Sequence, residues 1–160
     1  MLCVRTKIKK SGTHGKGLFT LEYIKKGMIV GILAKDAKVM TEEENQKLEK
    51  EGDKIVIQTA VRWVGNYFLY SDVIENEDFI NHSDNPSLLY HCGICFARRN
   101  IPIGEELTVD YRYFLAKKDV SSFRDKTSKL YVSGYSWKQA LLKSAKELIV
   151  LLKDKKPKGK

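Results

Sequence analysis

The chain has no apolar run approaching the ~20 residues that a membrane-spanning helix needs. No transmembrane segment and no membrane partner are therefore expected. The opening Met1-Leu2-Cys3-Val4-Arg5 lacks the layout of a secretory signal peptide. Cysteine is scarce. Cys3, Cys92 and Cys95 form an odd, irregularly spaced set, which argues against a secreted disulfide scaffold and predicts an intracellular protein. No segment repeats at a period of 20–50 residues, the range typical of solenoids and propellers. Strands do not alternate with helices in the way a Rossmann-type sheet requires.

Basic excess is also missing from most of the chain. Residues 1–116 carry 16 Lys/Arg and 16 Asp/Glu, whereas residues 117–160 carry 13 and 4. The whole net charge of +9 therefore sits in the last quarter. A protein basic from end to end, built to coat nucleic acid, is excluded. What is present is a charge-balanced body of ordinary single-domain size. It is 42% hydrophobic over the 160 residues and long enough to bury a core without metals or disulfides.

The body reads as short strands and loops. Residues 2–9 alternate apolar and basic side chains, as a half-buried strand does. A glycine-rich loop spans residues 11–17, and residues 18–20 and 28–33 resume extended structure. Residues 41–51 predict a largely solvated helix. Thr41 and Glu44 form a capping box, Glu43 and Lys47 are spaced as an ion pair, and Gly52 is the stop. The β-branched run 55–64 predicts a strand, joined to 67–70 through Gly65-Asn66 as a hairpin. Residues 88–97 predict a strand pair broken at Gly93, and 107–111 a strand. Residues 117–135 show no clear period. Residues 137–153 predict the strongest helix, capped by Ser136 and Gln139, with Trp137, Leu141, Ala145, Leu148 and Leu152 on one face. Residues 154–160 predict a basic, disordered tail.

Three segments invite chemistry, and none is decisive alone. Gly15-Lys16-Gly17-Leu18-Phe19 lets backbone approach a ligand, because glycine has no Cβ to intrude. It lacks the Lys-Ser pair of a phosphate loop, and a hairpin turn explains it equally well. Asn81-His82-Ser83-Asp84-Asn85-Pro86 is rich in turn formers, and a polar loop suffices to explain it. Gly104-Glu105-Glu106-Leu107-Thr108-Val109-Asp110-Tyr111 ends an apolar strand on a tyrosine, which is ordinary packing. Cys92-Gly93-Ile94-Cys95 is a single Cys-x-x-Cys pair. Structural zinc usually takes four ligands, so no metal site is predicted.

Taken together and in this order, the three segments closely resemble the SET-domain family of protein lysine methyltransferases. The family signatures are Gly-x-Gly-Leu-Phe followed by Ile-x-x-Gly, then Asn-His-Ser-x-x-Pro, then Ile-x-x-Gly-Glu-Glu-Leu-Thr-x-x-Tyr. They stand here at residues 15–19, 24–27, 81–86 and 101–111. The resemblance implies a mainly β fold with some α: several small sheets around a knot-like crossing, here with a C-terminal α-helix. It implies a SET domain over 1–116. Residues 117–153 would form a helical extension, packing on that domain or at a homodimer interface. It implies S-adenosylmethionine as cofactor, contacted by Lys16, Gly17, Asn81, His82 and Tyr111. Tyr111 would be the catalytic tyrosine and Tyr90 the second, with Tyr67 and Tyr70 better explained as hairpin packing. Glu106 and Asp110 would be structural. The implied activity is methyl transfer to a lysine ε-amine of a protein substrate, a histone or another basic protein.

The residue types suit that chemistry. The attacking amine must be neutral, whereas free lysine has a pKa near ~10.4. A desolvating channel and a neighbouring positive charge lower it. Alignment then matters more than strong acid–base groups, and tyrosines supply walls and fixed hydroxyls. The basic C-terminal region would repel a lysine-rich substrate unless acidic residues such as Glu75, Glu77 and Asp78 line the entrance, or DNA bridges the two. The sequence departs from the family at Ser87, where Asn is usual, and at Arg112, where Gly is common. It also lacks a cysteine cluster after the domain. These departures keep open a second reading, an inactive SET-like module that contacts chromatin or nucleic acid through the basic C-terminus. The expected compartment is the cytoplasm in a prokaryote, with the nucleus open to a eukaryotic or viral protein.

Overall fold

The alternation at the N-terminus produces β1 (Thr6–Lys10), which pairs antiparallel with β2 (Lys16–Thr20) so that Ile8 faces Leu18. Gly15, at φ 52, turns the chain between them. The computed structural model describes residues 1–12, 15–33, 37–116, 120–124 and 129–153. The expected tail at 154–160 lies outside the described residues. Next come β3 (Ile29–Ile32) and β4 (Lys38–Thr41), followed by α1 (Glu42–Glu51). The capping box at Thr41 and Glu44 closes as expected, and Gly52 ends the helix at φ 78. Lys47 pairs with Glu51 at 4.0 Å. Asn45 gives α1 a buried polar anchor and donates to Glu49 Oε1 at 3.0 Å.

The expected strand at 55–64 is corrected. Its first part is α2 (Lys54–Thr59), and only β5 (Val61–Val64) is extended. Asp53 is the cause. Its carboxylate accepts from the amides of Ile55 and Val56 at 2.9 and 3.1 Å, which starts a helix whatever the β-propensity that follows. β5 then turns through Gly65-Asn66 into β6 (Tyr67–Tyr70), giving a sheet of order β4-β6-β5.

A 3₁₀ turn at Asn76–Phe79 leads into β7 (Asn81–His82). β8 (Leu88–His91) and β9 (Ile94–Ala97) form a hairpin on Cys92-Gly93, both at positive φ, and join β3 in the order β3-β9-β8. The strand expected at 107–111 shortens to β10 (Thr108–Val109), because Asp110 caps a second 3₁₀ turn at Tyr111–Tyr113. β10 lies parallel to β7, with Thr108 opposite Asn81 and Val109 opposite His82. The aperiodic region contains β11 (Val120–Arg124) and β12 (Tyr131–Ser133), paired antiparallel.

The main core gathers Leu18, Ile24, Val30, Leu88, Ile101 and Leu107, all essentially inaccessible. Most of them lie on or beside the glycine, Asn-His and Glu-Glu-Leu-Thr segments, so burying this core draws those segments together. A smaller cluster of Met40, Val56, Phe68 and Ala116 lies beneath α2.

α3 (Trp137–Leu152) starts at Ser136 as expected but buries a rotated face. Ala140 and Ser144 are its buried residues, while Leu152 is exposed. Small side chains let α3 approach β8 closely. Glu147 anchors it, accepting from the Tyr113 hydroxyl at 2.6 Å and from the Arg98 guanidinium at 2.6 Å. Among the described residues no helix is long and apolar enough to cross a membrane.

Candidate active site

The β7/β10 crossing positions the site. Ser83 N donates to Val109 O at 3.0 Å, extending the parallel pairing beyond the two short strands. Ser87, fully buried, completes the clamp. Its hydroxyl oxygen accepts from Thr108 N at 2.9 Å, and its own amide donates to Thr108 Oγ1 at 3.1 Å. The residue that departs from the family pattern thus helps to hold the crossing.

Asn81 sits where three segments meet. Its side-chain amide donates to Lys16 O at 3.0 Å and to Glu106 Oε1 at 2.8 Å. Glu106 also accepts from the Ser11 hydroxyl at 2.8 and 3.0 Å. Gly17 is required beneath this knot. A Cβ there would stand 2.2 Å from Glu106 Oε1 and 3.0 Å from Asn81 Nδ2. Glu106 therefore joins the loop to the crossing. In the sequence it looked merely structural, because nothing in its spacing reveals that its partners are Ser11 and Asn81.

His82 is buried against Tyr111. The Tyr111 amide donates to His82 Nδ1 at 3.1 Å, and the ring centroids lie 5.4 Å apart. An acceptor Nδ1 places the proton of the neutral imidazole on Nε2. The Tyr111 hydroxyl donates to Ile80 O at 2.9 Å, and its ring packs on Phe114 at 4.8 Å. Burial, aided by the Asp78 charge, pushes this phenol up to about 12, so it stays protonated at neutral pH. Phe114 also meets Tyr90 edge-on at 5.4 Å. The Tyr90 hydroxyl is buried and donates to Arg62 O, and burial holds its pKa well above the ordinary value.

A cavity of about 540 Å³ opens beside these groups. Of the residues expected at the site, Lys16, Asn81, Tyr90 and Tyr111 line it, whereas Gly17 and His82 do not and reach it only through Asn81 and Tyr111. Tyr70 and Phe114 add aromatic wall, whereas Tyr67 is exposed outside it. Glu75, Glu77 and Asp78, expected at an entrance, also line the cavity.

Arg112, the second departure, binds Asp110 at 2.7 Å and Asp84 at 2.9 Å, with its guanidinium 5.8 Å from the Tyr135 ring centroid. It ties the Asn-His loop to the second 3₁₀ turn and to the segment before α3.

The family model for the SET domain matches residues 15–112. The chain belongs to the SET-domain family. A protein of Plasmodium falciparum (isolate 3D7), named "Putative histone-lysine N-methyltransferase 1", is 30% identical over 131 residues. That match covers 69% of this chain and 2% of the relative. This SET-domain chain thus corresponds to a small part of that relative. The motif segments identified from sequence all fall within the matched region. Arg62 reaches the site only through the fold, its carbonyl accepting from the Tyr90 hydroxyl, and no motif announces it.

Proposed function

We propose that this SET-domain chain is an S-adenosylmethionine-dependent protein-lysine N-methyltransferase acting on a histone or another basic protein. The carrying observation is the single cavity shared by Lys16, Asn81 and Tyr111 from three separate segments, with Tyr111 fixed at both its amide and its hydroxyl. Its volume lies within the range of small-ligand sites, and Gly15 adds backbone without a side chain to its wall. The residues present therefore fit the cofactor. Lys16, Gly17, Asn81, His82 and Tyr111 would hold it, and when bound it supplies the methyl group on a positively charged sulfonium.

The chain's own residues do the rest. Tyr70, Tyr90 and Phe114 give the cavity an aromatic wall along which a lysine stem can lie. Tyr111 keeps its proton and commits it to Ile80 O, so an amine meets an acceptor oxygen there. A fixed acceptor orients the amine lone pair, and positioning of this kind supplies several kcal/mol of the barrier reduction, up to ~7–11. Glu75, Glu77 and Asp78 give the cavity a negative side that attracts a basic substrate past the cationic C-terminal region. The expected compartment remains intracellular.

Calorimetric titration with S-adenosylmethionine should show binding, and labelled cofactor should transfer methyl groups to core histones. Tyr111→Phe should still bind cofactor and lose transfer activity by about 10²-fold. Absence of cofactor binding would favour the alternative that the C-terminal charge supports, a non-catalytic module docking on chromatin or nucleic acid.

A further inference from the structure

We propose that Asp78 is the group that receives the substrate lysine and takes its proton before methyl transfer. The inference rests on the lysine-methyltransferase reading and names a catalytic residue within it. Asp78 lines the cavity with Tyr111 and is half-buried. It lies two residues before Ile80, whose carbonyl holds the Tyr111 hydroxyl. Its Oδ2 is fixed by the Glu75 amide at 2.7 Å, and its backbone carbonyl accepts from Gln58 at 2.9 Å. The carboxylate therefore has a set position in the cavity that Tyr111 also lines, with acceptor capacity beyond the Glu75 bond.

The other ionisable groups of the cavity do not suit the task. The Tyr90 and Tyr111 hydroxyls donate to carbonyls and resist ionisation. The Cys95 thiol is buried and pushed up to about 12. Glu77 is ion-paired with the Met1 ammonium. Glu75 is exposed, and Lys16 repels an ammonium. Of the lysines on β1 and β2, which pack against this turn, only Lys16 lines the cavity. Burial, reinforced by the charges of Glu77 and Glu75, pushes Asp78 up to about 6 against the opposing Glu75 amide bond and Met1 ammonium. It is thus ionised at neutral pH yet a better proton acceptor than an ordinary aspartate.

The step balances simply. One N–H bond of the lysine ammonium breaks and its electron pair stays on nitrogen, while an O–H bond forms on the Asp78 carboxylate. The nitrogen pair then forms the N–CH3 bond, and the pair of the broken S–C bond stays on sulfur. The methylated ammonium leaves, and Asp78 returns its proton to solvent.

Asp78→Asn keeps an acceptor for the Glu75 amide, so the turn should form. With core histones as substrate, the wild-type rate should fall as pH drops through about 6. Asp78→Asn should lose about 10²-fold in kcat at neutral pH, and its rate should climb with pH well beyond the wild-type plateau. Cofactor affinity should not change. A second measurement uses the wild type without cofactor. Adding n-butylammonium, which reproduces the end of a lysine side chain, should lower the Asp78 titration midpoint followed by carboxyl carbon NMR. An Asp78→Asn enzyme with the wild-type rate and pH profile overturns the proposal, as does an unmoved carboxyl titration. A wild type that binds no cofactor, or transfers nothing to core histones, instead removes the reading beneath it.

Discussion

Gly17 and Glu106 illustrate how one residue's identity fixes another's place. The Glu106 carboxylate occupies the volume that any Cβ at position 17 would need, at 2.2 Å from Oε1 and 2.8 Å from Cδ. A glutamate on an open surface could swing aside. This one is held by Ser11 and Asn81, so displacing it also moves the amide that bonds Lys16 O. Gly17→Ala should therefore cost about 1–3 kcal/mol of stability, the usual toll of overpacking. It should also weaken S-adenosylmethionine binding well beyond that of a Gly12→Ala control, where a Cβ meets nothing. Urea denaturation and calorimetry on the two variants check this. Equal cofactor affinities would detach Gly17 from the site. At this scale the sequence made Lys16, Asn81, His82 and Tyr111 legible, because each stands inside a local signature. Glu106 was legible as a structural member of its signature and Asp78 as an acidic entrance group, but their partners were not. Their roles depend on partners as distant along the chain as Ser11 and Tyr111, and spacing carries no record of such meetings.

At the scale of elements, legibility follows how local the determining physics is. The two capping boxes, Thr41 with Glu44 and Ser136 with Gln139, each need only four consecutive residues, and both helices start where those residues stand. α2 was missed because Asp53 as N-cap outweighs the β-branched run after it. The inner face of α3 was misplaced because hydrophobic periodicity ignores a polar anchor. Glu147 draws the helix round so that it meets both Arg98 and Tyr113. Those bonds also account for Tyr113, whose phenol is held above its ordinary pKa by burial and by its bond to this carboxylate. Glu147→Ala should cost about 1–3 kcal/mol, because it strands two partly buried donors. Hydrogen exchange should locate the loss, with α3 amides exchanging faster while those of β1 and β2 change less. Uniform acceleration through the whole chain would mean that α3 and the core unfold as one unit.

The whole molecule is charge-balanced over residues 1–116 and strongly basic beyond, which invites a division into a catalytic body and an appended docking segment. The contacts oppose so clean a division. Arg62, 3% exposed, sends its guanidinium to Tyr135 O at 2.8 Å while its own carbonyl holds the Tyr90 hydroxyl in the cavity wall. Gly134 passes so close to residues 115–116 that a Cβ would stand 2.2 Å from Ala116 O. Tyr135 N donates to Arg112 O at 2.9 Å, and α3 lies along β8. Residues 129–153 therefore complete the site that the family motifs outline. A chain ending at Ala116 would leave the Arg62 guanidinium without the Tyr135 carbonyl. Arg62 would keep Glu42 at 3.9 Å, but losing a hydrogen bond to a buried charge costs about 1.5–3 kcal/mol, a large part of the ~5–15 that holds a domain together. It would also uncover β8 and release Arg98 and Tyr113. Such a chain should show no cooperative thermal transition and no cofactor binding, whereas a chain ending at Lys153 should melt within about 2 °C of the full-length protein. Circular dichroism melts of the three lengths decide the matter. A 1–116 chain that melts with the full-length protein would make the C-terminal segment an appendage after all, and would leave Tyr90 anchored by the body alone.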